Sequence, residues 1–130
     1  MADKISQSPN SLILLGIETG GITCGVGVWR DEEVIGEALL RIPHIHSRAL
    51  GELISGVLTS AELTPEELSA VVLSAGPGSF TGLRIGYSVA KGLAHALSIP
   101  IVEVPTLDVL AYQAGRQEMP VFPLIDARRG

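Results

Sequence analysis

Apolar residues along this chain fall into two rhythms, one of period two and one of period near four, and their succession predicts the elements. Residues 12–17 form a short, β-rich apolar run of the kind expected for a strand buried on both faces. The run stops at Glu18-Thr19-Gly20-Gly21, where the glycine pair is read as supplying the positive φ of a tight hairpin. Cys24, Val26 and Val28 then alternate with Thr23, Gly25 and Gly27, which predicts a second strand. After the polar turn Arg30-Asp31-Glu32-Glu33, residues 34–42 read as a third strand ended by Pro43, completing an antiparallel meander.

From about His46 to Glu62 the rhythm changes. Leu50, Leu53, Ile54, Val57, Leu58 and Ala61 stand at helical spacing and predict a long amphipathic helix. Thr64-Pro65-Glu66-Glu67 carries the cap, first-turn proline and acids of a short helix start, and Val71-Val72-Leu73 follows as a buried strand. A glycine loop then leads into a helix over about 82–97. Residues 101–104 read as a fifth strand, Thr106 as the cap of a helix to about Ala114, and residues 121–125 as the start of another strand. The order β-β-β-α-β-α-β-α-β implies an α/β fold, a mixed sheet with helices against it. Residues 1–10 read as a loose leader. A strand opening at residue 121 with nothing after it to pair or cover it is the pattern of a chain cut from a longer protein.

Composition narrows the function. The chain has 130 residues, 46% of them hydrophobic and 18% charged, fewer charges than the roughly 25% of an average domain, so some apolar surface is available for an interface. A net charge of −5 supplies no basic field for gripping a phosphate backbone unaided. One cysteine, no secretory leader and no apolar run of the roughly 18 residues a membrane span requires place the protein in the cytoplasm, away from membranes.

Candidate chemistry concentrates in Gly76-Pro77-Gly78-Ser79-Phe80-Thr81-Gly82-Leu83-Arg84-Ile85-Gly86, between a predicted strand and helix. Strand, glycine loop and helix N-terminus form a common anion cradle. This stretch has neither the Lys-Ser/Thr of a P-loop nor the spacing of a dinucleotide fingerprint, so the preferred reading is that its glycines permit a sharp turn and close packing. Gly82, Gly86, Ala90 and Ala94, four apart, form a seam of small residues on a helix with little polar surface. One side of that helix is expected to meet the sheet, and the other either the preceding helix or a second protein. Glu18 and Thr19 sit where actin-like ATPases place an acid and a glycine turn near phosphate and metal. His44 and His46 share a face of an extended segment but lack a third ligand. Ser79 and Thr81 lack a neighbouring base, and Cys24 among valines is read as packed, not reactive.

The stretch from Gly76 to Gly86 closely resembles the hallmark of the TsaB (YeaZ) family, and the likeness extends to Ile17-Glu18-Thr19, His46-Ser47, Ala90-Lys91-Gly92-Leu93-Ala94 and Ile125-Asp126-Ala127-Arg128-Arg129. The resemblance implies an actin-like (ASKHA, ribonuclease H-like) fold of two related domains, with residues 11–120 the first and residues 121–130 opening the second. It implies no catalytic residue, bound cofactor or metal on this subunit. Its role would be a scaffold for forming threonylcarbamoyladenosine beside the anticodon of tRNAs that read codons beginning with A. It would pair with the TsaD transferase and recruit the TsaE ATPase, with ATP and metal held on those partners, tRNA met only through the complex, and a homodimer formed alone. Pairing through the first two long helices carries over to Leu50, Leu53, Ile54 and Val57 on one, and Leu83, Ile85, Gly86, Val89 and Ala90 on the other. The family usually has Asp where this chain has Glu18, which weakens a nucleotide site at that turn. Two alternatives are an actin-like phosphotransferase gripping ATP between the turn and the Gly76 loop, and a glycoprotease-like peptidase, for which no nucleophile and base are paired.

Overall fold

The computed structural model describes residues 10–41 and 47–127. Three strands open the chain, β1 (Ile13–Glu18), β2 (Cys24–Arg30) and β3 (Glu33–Leu40). Helix α1 (Ser47–Ser60) follows, then a single 3-10 turn at Pro65–Glu67, β4 (Ala70–Ser74), α2 (Phe80–Leu97), β5 (Ile101–Val104) and α3 (Thr106–Gln113). The strands form one sheet in the order β3-β2-β1-β4-β5. β1, β2 and β3 run antiparallel, whereas β4 pairs parallel to β1 and β5 parallel to β4. The meander and the helix-linked parallel strands expected from the hydrophobic rhythm are thus one mixed sheet, with β1 at its centre.

Period two decides which side chains make the core. Leu15 on β1 stands opposite Val28 and Val71, and Ile17 opposite Val26 and Leu73, so one face of the sheet is a continuous aliphatic layer. Leu50, Ile54, Val57 and Leu58 of α1 and Ala90 and Ala94 of α2 cover that layer. Gly36 of β3 lies on the same side. A Cβ there would stand 3.3 Å from Val57 Cγ1, so the missing side chain lets α1 settle onto the sheet edge. The opposite face is only half covered at Leu14 and Gly16. The expectation that β1 is buried on both faces therefore gives way to burial that alternates along the strand, because both long helices lie on one side.

Local chemistry shifts several boundaries. The positive φ values of the meander occur at Asp31 (44°) and Glu32 (80°) in the β2–β3 turn, not at Gly20 and Gly21. Two successive left-handed residues match the twist of paired strands in a two-residue hairpin. Asp31 also accepts a 3.1 Å hydrogen bond from the Leu12 amide through Oδ1, which ties the turn to the residue ahead of β1. β3 ends at Leu40, two residues before the expected limit. The Thr64 turn is one 3-10 turn, held by a 2.7 Å bond from the Thr64 amide to Glu67 Oε2. Thr106 is the first residue of α3 and not its cap, since its hydroxyl lies 2.6 Å from that of Ser74. Residues 121–125 form no strand: a strand exists only through its ladder, and no strand among the described residues pairs with this segment.

Candidate functional site

At the C-terminal end of β1 the chain meets the glycine loop, and the joint between them is made of backbone. Thr19, buried at 4% exposure, donates its hydroxyl to the Gly82 carbonyl at 2.7 Å. The Ser79 amide donates to the Gly20 carbonyl at 2.7 Å. A Cβ on Gly78 would stand 2.8 Å from the Gly20 oxygen, one on Gly82 would collide with the Thr19 carbonyl, and one on Gly86 with Thr19 Oγ1. Gly76 has φ of +98°, a conformation open to glycine alone at little cost. The glycines of the hallmark loop therefore serve close approach of main chain to main chain.

That joint engages some of the amides an anion would use, at Ser79, Gly82 and Leu83. Ser79 caps α2, its Oγ accepting from the Gly82 amide at 3.2 Å, while the Leu83 amide bonds the Ser79 carbonyl at 2.8 Å. α2 accordingly begins at Phe80, two residues ahead of the expected Gly82. Glu18 turns back on its own loop, Oε1 accepting from the Gly20 amide at 2.5 Å. Beside the joint opens a cleft of about 1060 Å³, bordered by Gly20, Gly21, Pro77, Gly78 and Ser79 and, across from them, by Arg41, Leu107 and residues 123–127. Cys24 is buried at 1%, and its thiol is pushed above its ordinary value first by burial and then by the nearby Glu18 charge, which fits a packed and unreactive sulfur. Among the described residues no three His, Cys, Asp or Glu side chains gather as metal ligands. His44 and His46 lie outside the described residues.

The residues of the helical pair divide between core and surface. Leu50, Ile54 and Val57 are buried in the core of this chain, and so are Gly86 and Ala90. The small seam of α2 faces its own sheet, because Gly82 and Gly86 must pass close to Thr19. Leu83 packs over Gly20 and Gly76. Of the nine expected contact positions, Leu53, Ile85 and Val89 pack against the core yet keep partial exposure. Sequence reasoning missed what stands next to Ile85. Phe80 is 74% exposed, and the Arg84 guanidinium lies 5.4 Å from its ring centroid. With Ser47, Thr81, Ile85 and Ser88 they line a groove of about 310 Å³ between the starts of α1 and α2. Phe and Arg four residues apart on a helix were a visible signal, once the helix is known to start at Phe80.

The sheet order, the two long helices on one face and the joint between the β1 turn and a helix-capping loop define an actin-like (ASKHA, ribonuclease H-like) α/β domain. A ROK hexokinase from Thermus thermophilus shares this fold alone, with a TM-score of 0.53 at 17% identity over 77% of this chain and 36% of that one. A family model described as TsaD, tRNA N6-adenosine threonylcarbamoyltransferase, matches residues 42–130. The tRNA threonylcarbamoyladenosine biosynthesis protein TsaB of Bacillus subtilis is 36% identical over 119 residues, 92% of this chain and 52% of that protein. A Pseudomonas aeruginosa crystal structure described as similar to the peptidase YeaZ superposes with a TM-score of 0.76 at 31% identity, covering 82% of this chain and 49% of that one. The chain belongs to the TsaB (YeaZ) family. It spans about half the length of the curated relatives it matches.

Proposed function

We propose that this chain is part of a non-catalytic scaffold subunit for threonylcarbamoyl transfer to tRNA, which pairs with a TsaD-like transferase, recruits a TsaE-like ATPase and forms a homodimer when alone. Family membership carries the reading, since the relatives bear the name of that biosynthesis. The chemistry of the joint supports a role without catalysis: Ser79 is engaged as a helix cap, Cys24 is packed, and Glu18 binds its own turn. The contact surface of this reading is the groove between α1 and α2, with Phe80 and Arg84 as anchors and Ile85 beside them, and the half-buried Leu53 and Val89 elsewhere on the same two helices. Exposed aromatic and Arg side chains over a partly apolar surface have the composition of interface hot spots. ATP and metal belong to the partner subunits in this reading, and tRNA is met through the complex.

Omission tests it. Full-length protein added to its cognate transferase and ATPase should enlarge the complex and raise modification of tRNA. Equal size and activity with and without it would refute the scaffold role. The cleft beside Gly78 keeps a second reading in view, an actin-like phosphotransferase. Calorimetry that finds tight ATP binding by the isolated full-length protein would favour that reading over the scaffold.

A further inference from the structure

α2 carries its charge on the side opposite its small seam. Thr81, Arg84, Ser88, Lys91 and His95 are all exposed and recur at three- and four-residue steps, one stripe along the helix. The helix holds no acidic residue in 18, although the chain carries 14 Asp and Glu in all. Each of its two permanent cations is braced by an aromatic ring four residues earlier. Arg84 lies over Phe80 at 5.4 Å and Lys91 over Tyr87 at 5.7 Å. Neither forms a salt bridge among the described residues, and the Glu103 side chain is engaged by Tyr87. A guanidinium stacked on a ring keeps its in-plane N–H donors free for a carboxylate. The two cations are seven residues apart, about 10.5 Å along the axis, a spacing that acids two turns apart on a facing helix would match.

Resting on the scaffold reading, we infer that the outward face of α2 selects its occupant by charge, fitting an acidic helical surface of a different protein better than a second copy of this chain. A two-fold copy that set α2 against α2 would bring this cationic stripe against the same stripe of the other copy, which like-charge repulsion disfavours. α1 offers such a copy a single acid, Glu52, which also pairs with Arg48 at 3.0 Å. The heterologous pair therefore gains from the charges that weaken the self-pair.

The experiment uses full-length protein with its cognate transferase, titrated at low and high salt, beside sedimentation of the protein alone. R84E/K91E should weaken the heterologous association about 10-fold or more and leave self-association no stronger, since reversal still sets like charges against each other. Affinity of the unaltered pair should fall as salt rises. R84Q/K91Q should weaken the heterologous association less than the reversal does and should strengthen self-association, because it removes the like charges; it substitutes for the reversal if a melt shows that variant unfolded. If the unaltered pair associates but is indifferent to both charge changes and to salt, this inference is overturned and the scaffold reading stands. If the unaltered pair does not associate, both fall. If the variants keep the protein complex intact and lose only tRNA retention, the face serves nucleic acid and the inference is overturned.

Discussion

Thr19 is where the smallest details of this chain have the largest effect, since its carbonyl and hydroxyl lie where Cβ atoms on Gly82 and Gly86 would go. Both obstacles belong to a buried residue, so Gly86→Ala has to push main chain or break the 2.7 Å bond from Thr19 to Gly82. Over-packing of this kind costs about 1–3 kcal/mol, and urea unfolding of Gly86→Ala should show a loss of that size. Gly92 lies on the same helix, and a Cβ there would meet nothing within 4 Å. Gly92→Ala should therefore raise stability by about 0.5–1 kcal/mol, the ordinary benefit of removing a helical glycine. The spacing of Gly82, Gly86, Ala90 and Ala94 was legible in the sequence as a seam. Its neighbour was not, because periodicity tells which residues share a face and never what that face meets.

Elements begin and end where a side chain satisfies backbone groups, and α2 shows how fine that control is. Ser79 supplies the cap through Oγ, and the amide of the same residue anchors the loop to Gly20. Ser79→Ala keeps the amide and removes the cap, for an expected loss of about 1 kcal/mol measured by chemical denaturation. An unchanged midpoint would mean the anchor alone sets the start of the helix. The pattern shows the loop and the helix but puts the boundary at Gly82, because glycine reads as punctuation and nothing in the spacing marks Ser79 as the cap. The β2–β3 turn carries the reverse lesson. Gly20 and Gly21 look like hairpin residues, yet the left-handed pair is Asp31 and Glu32, and Gly20 lies against Glu18, Leu83 and Gly78. Glycine signals either unusual φ or close approach, and only the Gly76 loop, distant in sequence and packed against Gly20, distinguishes them.

On the scale of the whole molecule, the five strands and two long helices follow from hydrophobic rhythm, and parallel pairing of β4 and β5 follows from the helices that connect them. The half-covered face of β1 and the irregular course of residues 121–125 were illegible, since each depends on what packs against it. The folded state as a whole should also register alkaline pH. Cys24 is held protonated above its ordinary 9.0, chiefly by burial, and Tyr87 above its ordinary 10.0, chiefly by its hydrogen bond to Glu103. Both folded values are raised, so the stability they contribute is complete below the unfolded values and is lost as pH climbs through them toward the folded ones. Urea midpoints should thus decline from about pH 9 upward, and less steeply in Cys24→Ala; a midpoint level across that range would refute the buried, protonated thiol.

The union of Thr19, Gly20, Ser79 and Gly82 also limits how this domain can move. Because its bonds join main chain to main chain or to a buried hydroxyl, the loop ahead of α2 cannot swing independently of the central strand. A shift of the start of α2 would therefore carry the end of β1 and the floor of the neighbouring cleft with it.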